Sequence, residues 1–149
     1  MNERTKRDLK ELIVNQEVMI ESYTRMIDRA KDDELKDFFR SLQENHFEQM
    51  MMISDRVIEL GDEPKFKTGF TGVMDEMRHK KSKENEHRIT DFDLAQIALD
   101  GERLNAEKHA SFQLGEVDPT SLEILQMTIN ADEQNIKALE EYVQHYEAQ

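Results

Sequence analysis

The chain contains no cysteine and no tryptophan, and it has only two prolines and five glycines among its 149 residues. Without cysteine there are no disulfides, no thiolate metal sites and no iron–sulfur clusters. So little proline and glycine leaves few places where a chain must turn. The strong helix formers that take their place point to an all-helical protein. Basic residues are in deficit too, 20 against 33 acidic, for a formal net charge of −13. Such a surface repels phosphate backbones and argues against a nucleic-acid partner; it favours solubility and draws cations towards any polar opening. No apolar run is long enough to span a membrane, and Met1 to Arg7 is not followed by the apolar stretch of a signal peptide. A soluble, cytoplasmic protein is expected, with one domain over residues 1–149 and room for a sizeable core.

Catalytic signatures are missing as well. There is no phosphate loop, no nucleophile elbow and no His-Glu-x-x-His, so nucleotide-binding, hydrolase and protease readings have nothing to rest on.

What is present is helical periodicity. Apolar residues recur by threes and fours over four segments, about 3–30, 32–61, 91–114 and 119–147. The first stripe reads Leu9, Ile13, Gln16, Ile20, Tyr23, Ile27 and Ala30. The second reads Leu35, Phe39, Leu42, His46, Gln49 or Met50, Ile53, Val57 and Leu60. The third carries Ala95, Ala98, Glu102, Asn105, His109 and Phe112, and the fourth Leu122, Leu125, Ile129, Asp132, Ile136, Leu139, Val143 and Tyr146. Start and stop signals agree with these spans. Asp32 or Asp33, and Thr90 or Asp91, are N-cap residues; Asp118-Pro119 reads as a cap followed by proline at the first helical position; Gly61 suits the position just past a helix end. The Met50-Met51-Met52 run places one or two methionines in the core and the rest at its edge.

The links after the first and third segments are short, so each pair forms an antiparallel hairpin. The link at 62–90 is long enough to run back along the bundle, with a short amphipathic helix expected from Phe66 to Met77 and a charged stretch from Lys80 to Arg88. Its basic cluster, Arg78, His79, Lys80, Lys81 and Lys83, either touches a partner or phosphate or is a solvated connection. One long crossover in a four-helix bundle is the ferritin-like topology.

Each stripe is interrupted near its middle: at Gln16, at His46 with Gln49, at Glu102 with Asn105, and at Asp132. Helices that alternate in direction bring their midpoints level, so these groups should meet in one buried layer. Such a layer is costly unless its members pair with each other or hold a ligand. Glu17, Glu21, Glu44 and Glu133 flank it. His79, His87 and His145 lack ligand spacing.

Across nearly its whole length the sequence resembles the ferritin-like superfamily, bacterioferritin and rubrerythrin in particular. Gln16 through Tyr23-Thr24 to Ala30-Lys31 is similar to the rubrerythrin segment in which a ligand Glu precedes a Tyr by seven residues, and Gln16 stands at the Glu position. Asp55-Arg56-Val57-Ile58-Glu59-Leu60-Gly61-Asp62-Glu63-Pro64 looks like the stretch that closes the second helix of bacterioferritin. That register places the family's Glu-x-x-His on His46-Phe47-Glu48-Gln49. Gly101-Glu102 resembles the rubrerythrin Gly-Glu, which makes Glu102 the third-helix ligand and puts Asn105 at an additional acidic position. Ala131-Asp132-Glu133-Gln134-Asn135-Ile136 looks like the bacterioferritin Asp-Glu-Glu-x-His-Ile, with Asp132 and Asn135 at the Glu and His positions.

The resemblance implies a di-iron-carboxylate type of bundle binding one or two divalent metals, iron or another. Of the six usual ligand positions only Glu102 keeps its residue; Asp132 is a shortened acid, His46 replaces a Glu, and Gln16, Gln49 and Asn135 are neutral amides. The expected site is therefore a reduced one, with metal held by His46, Glu102 and Asp132 and oxidase activity weak or absent. The alternative is a non-catalytic, stress-associated bundle whose layer is hydrogen-bonded without metal and which acts through protein partners. Tyr23 is then either a redox-active or supporting hydroxyl or a core tyrosine with one buried hydrogen bond. His109 either joins the layer or is a satisfied core histidine. A homodimer is implied by the resemblance, since these bundles often pair along their long helices.

Overall fold

The computed structural model describes residues 2–64, 66, 89–113 and 117–149. Among these residues there are four helices and no strand: α1 (Asn2–Arg29), α2 (Asp33–Glu59), α3 (Asp91–Gln113) and α4 (Pro119–Glu147). None of them is long and apolar enough to cross a membrane. The ends agree with the periodicity to within two residues. The segment expected to form a short helix and a charged stretch, Phe66 apart, lies outside the described residues.

Local chemistry explains where each helix stops and starts. Asp32 caps α2, its side chain accepting from Glu34 N. Asp118 caps α4 with Pro119 behind it. Thr90 caps α3 through a reciprocal pair, Asp93 N to Thr90 Oγ1 at 3.1 Å and Thr90 N to Asp93 Oδ2 at 3.0 Å. At the end of α2, Gly61 takes a φ of +85°, while its N–H bonds the Ile58 carbonyl and Asp62 N–H bonds that of Val57. That double closure needs a left-handed residue, the conformation glycine adopts without a steric cost.

The core comes in two apolar halves. One holds Met19, Tyr23, Met26, Ala30, Leu35, Phe39, Leu42, Leu94, Ala95, Ala98, Leu99, Leu139 and Val143. The other holds Leu9, Leu12, Ile13, Met50, Ile53, Val57 and Leu125. These memberships fix the topology. The C-terminal half of α1 meets the N-terminal halves of α2 and α3 and the C-terminal half of α4. Thus α2 and α3 run the same way, and residues 62 and 90 lie at opposite ends of the bundle. Asp91 confirms the upper end: its carboxylate accepts from Lys31 N and Asp32 N in the α1–α2 turn, both at 2.9 Å. At the other end, Lys10 and Asp62 pair at 2.5 Å. A bundle with this single long return is ferritin-like.

The buried faces are broader than single stripes. Each helix packs against two neighbours, so the covered surface spans two rows. Thr5, Leu12, Met19 and Met26 join the core from α1, while Ile20 and Ile27 are only partly covered. On α4 the face turns towards Ser121, Thr128 and Asn135, which leaves Leu122 exposed and Ile129 and Ile136 at the margin. Ser121 is drawn inward because its hydroxyl accepts from Arg56 Nε on α2 at 3.0 Å. Of the three consecutive methionines, Met50 is buried and Met51 exposed.

Candidate functional site

Between the two apolar halves lies a buried polar layer. Gln16, His46, Gln49, Glu102, Asn105, His109, Thr128, Asp132 and Asn135 are each at most 5% exposed. Helical spacing puts them there: His46 and Gln49, Glu102 with Asn105 and His109, and Thr128 with Asp132 and Asn135 are separated by three or four residues on the inner faces of α2, α3 and α4.

Most of these side chains bond to one another in a single line. The Tyr23 hydroxyl donates to Glu102 Oε1 at 2.5 Å. The same oxygen lies 2.6 Å from His46 Nε2. His46 Nδ1 is 2.6 Å from Gln16 Oε1, and the other end of that amide, Nε2, is 3.0 Å from His109 Nε2. His109 Nδ1 reaches Asp132 Oδ2 at 2.5 Å, and Asn105 Nδ2 donates to Asp132 Oδ1 at 3.2 Å. The line crosses from α1 to α3, to α2, back to α1, to α3, to α4 and finally back to α3. A shorter branch lies beside it, where Asn45 Nδ2 donates to Asn135 Oδ1 at 3.2 Å.

Glu102 and Asp132 are fully buried, and each faces an imidazole directly. Burial, followed by the charge of Glu102 and the bond to it, pushes the Tyr23 hydroxyl well above its usual range. The Tyr23 ring also stacks on His46, with centroids 5.8 Å apart and planes 23° from parallel.

All of the expected site residues reach this layer, though not as one converging cluster. His46 pairs with Glu102, whereas Asp132 pairs with His109. Gln16 joins the two pairs. Among the described residues, neither amide atom of Gln49 has a hydrogen-bond partner, and neither do Glu102 Oε2, Asn105 Oδ1 and Asn135 Nδ2. Glu17 and Glu21 are only partly buried, Glu44 and Glu133 are exposed, and none of them belongs to the layer. His109 is a full member, which its position seven residues after Glu102 allowed. Asn45 and Thr128 were not foreseen. Their helical spacing from Gln49 and Asp132 is the signal that could have found them.

The donor set does not suit the dinuclear metal centre that the resemblance implies. Two carboxylates supply far less negative charge than a pair of divalent ions requires, and the amides of Gln16, Gln49 and Asn135 add none. All four ring nitrogens of His46 and His109 are engaged by protein partners, so none offers a free lone pair without breaking the line. Among the described residues no group of three or more His, Asp or Glu side chains converges in the manner of a metal site.

Comparison with known proteins places the chain by fold and family. A family model described as a domain of unknown function, DUF2383, matches residues 4–87. Among solved structures, the chain is similar to a two-domain protein from Anabaena variabilis ATCC 29413 that contains DJ-1/ThiJ/PfpI-like and ferritin-like domains. The TM-score is 0.81 at 12% identity, over 99% of this chain and 38% of that one. At such identity the likeness concerns the fold, a ferritin-like bundle, and the chain spans little more than a third of that protein's length. No curated protein matches the chain.

Proposed function

The chain belongs to the DUF2383 family, and we propose that it is a non-catalytic ferritin-like bundle whose mid-bundle layer is held by hydrogen bonds in place of metal. Its activity then lies in its surface, through protein partners. One observation carries this reading: every ring nitrogen of His46 and His109 is taken by Gln16 or by a carboxylate of the protein itself. A metal taking either imidazole as a ligand would have to displace these bonds, at a cost of about 1–3 kcal/mol for each buried group left unpaired.

The outer faces support a role in association. Phe47, Met51 and Ile58 lie four and seven residues apart on α2 and are 45–57% exposed. On α3, Ile97 and Leu104 repeat the pattern at a spacing of seven. Apolar residues spaced along an exposed helix face suit a protein partner more than a phosphate or nucleic acid, which the acidic surface would repel.

Elemental analysis tests the proposal. The purified protein is measured as isolated, and again after anaerobic Fe²⁺ loading and desalting. The expected result is less than stoichiometric metal in both samples. One or two retained ions per chain would overturn the reading and restore the divalent-metal site expected at His46, Glu102 and Asp132.

A further inference from the structure

Tyr23, Glu102, His46, Gln16, His109, Asp132 and Asn105 form one unbranched line of six hydrogen bonds, with separations of 2.5–3.2 Å. Each link requires one hydrogen between its heavy atoms, because two lone pairs or two N–H groups facing each other at these distances repel. The hydrogens can therefore be counted.

The Tyr23 hydroxyl fills the first link and the Asn105 amide the last. Gln16 turns its oxygen to His46 and its nitrogen to His109, so its amide fills one of its two links. Turning that amide over exchanges the two links and still fills one. Three links remain: Glu102 with His46, Asp132 with His109, and whichever imidazole faces the Gln16 oxygen. Two neutral imidazoles bring one N–H each. One hydrogen is missing.

We infer that the layer holds one proton beyond those of neutral histidines and ionised carboxylates, and that it makes an imidazolium of the ring facing the Gln16 oxygen. Imidazole is intrinsically the stronger base beside a carboxylate. With the amide oriented as described, that ring is His46, whose two N–H groups then donate to Gln16 and Glu102. His109 is neutral, with its hydrogen on Nδ1 towards Asp132 and its Nε2 accepting from Gln16. The ionisable groups of the line are Tyr23 from α1, His46 from α2, Glu102 and His109 from α3, and Asp132 from α4. Its charge is that of one cation against two carboxylates. The Tyr23 ring lying on His46 gives that cation a favourable face. A single proton thus supplies the neutralising charge that a metal ion would otherwise bring. The inference rests on the metal-free reading above.

Nitrogen-15 NMR of the full-length, chelator-treated protein at neutral pH reads the count directly. Three hydrogen-bearing nitrogens are expected among the four ring nitrogens of His46 and His109, both of His46 and Nδ1 of His109. A count of two overturns the inference. Replacing the amide, Gln16→Leu, removes both central links and should lower the count to two; three in that variant would overturn the assignment to the Gln16 oxygen. Should that variant not fold, the native count still decides. Adding Zn²⁺ to the native sample separates the two proposals. Ring hydrogens that persist leave both standing, whereas their loss overturns the metal-free reading without changing the count in the chelated protein.

Discussion

The hydroxyl of Tyr23 on α1 lies 2.5 Å from Oε1 of Glu102 on α3, and both side chains are fully buried. That oxygen also lies 2.6 Å from His46 Nε2, while Oε2 of the same carboxylate has no hydrogen-bond partner among the described residues. Among the described residues, Tyr23 therefore supplies one of the two hydrogens that this buried carboxylate receives. Tyr23→Phe keeps the ring and its stacking but removes this bond. The expected loss is about 1.5–3 kcal/mol, the range for a hydrogen bond to a charged group. Urea unfolding checks it: the midpoint should fall while the slope with denaturant stays unchanged.

The same tyrosine gives an alkaline signature. Burial and then the Glu102 charge hold its hydroxyl well above the usual range, so it stays protonated in the folded protein while an unfolded chain ionises near pH 10. Stability from this group is complete below pH 10 and is lost as pH rises towards the folded value. The slope from Tyr23 alone is about 1.4 kcal/mol per pH unit. Tyr146, pushed up to about 12 by burial and by Asp32 and Asp91, acts in the same direction. Unfolding free energies measured from pH 9 to 11.5 should fall less steeply in Tyr23→Phe. Parallel curves for the two proteins would contradict the buried, protonated tyrosine.

Gln16 holds the middle of the line. Gln16→Ala strands His46 Nδ1 and His109 Nε2 in the interior, and two buried unpaired polar groups cost about 2–6 kcal/mol together. The exposed Glu44→Ala is the control and should stay within about 0.5 kcal/mol. Thermal melts of the two variants make the comparison, and similar melting temperatures would show that the line is not a stabilising unit.

Much of this is legible in the sequence. The helix ends were readable because Asp32, Thr90, Asp118 with Pro119, and Gly61 carry their signals locally, within a few residues of the backbone they complete. The layer was readable because a polar residue in an apolar stripe at 3.6-residue spacing can face only the core. What spacing could not convey was pairing. His46 and Asp132 both pointed inward, but whether they converged on a metal or each took a different partner depends on helix rotations of a fraction of a turn. Those rotations follow from the whole interface: Ser121 drawn in by Arg56 turns α4 and exposes Leu122, and this belongs to no single stripe. His109 illustrates the same limit. Its position on the face was evident, whereas its bond to Asp132 required knowing how α4 sits against α3.

Metal removal and addition should leave stability unchanged. A site occupied at one hundred times its dissociation constant would add about 2.7 kcal/mol, a shift of several degrees in the melting temperature of a bundle this size. Melts in chelator and in excess Fe²⁺ or Zn²⁺ are expected to coincide. A rise in the metal-containing samples that vanishes in the variant combining His46→Leu, Glu102→Leu and Asp132→Leu would identify the layer as a metal site after all.

Gly101 precedes Glu102 within α3, where glycine lowers helix stability. A Cβ there would meet Met19 Cε at 3.7 Å and Sδ at 3.9 Å, ordinary contact distances. Gly101→Ala should therefore stabilise the protein by about 0.5–1 kcal/mol. Chemical denaturation measures this, and a loss of stability would mean that the layer needs the glycine for a closer approach than α1 makes here.

At the lower end of the bundle, Asp118 joins two tasks. Its Oδ2 accepts from Ser121 N at 3.0 Å, which caps α4, and from Arg56 Nη2 at 2.6 Å, which ties that cap to α2. Arg56 in turn donates to Ser121 Oγ and to Glu59. Burial raises the Asp118 carboxyl, but the hydrogen bonds from Ser121 and Arg56 outweigh it and hold the group below its usual value. A carboxyl depressed in the folded state contributes stability that is present above the unfolded value, near 4 by the ordinary reference, and is lost as pH falls through the folded value. Asp118→Ala should cost about 1–2 kcal/mol at neutral pH through the lost cap. Asp118→Asn retains a capping side chain and loses the ion pair, so it should cost less than the alanine at pH 7. Its deficit relative to the native protein should then shrink between pH 5 and pH 2, because acid removes the same charge from the native chain. Denaturant unfolding across that range tests the argument, and a deficit independent of pH would mean that the Asp118 charge contributes nothing beyond its cap.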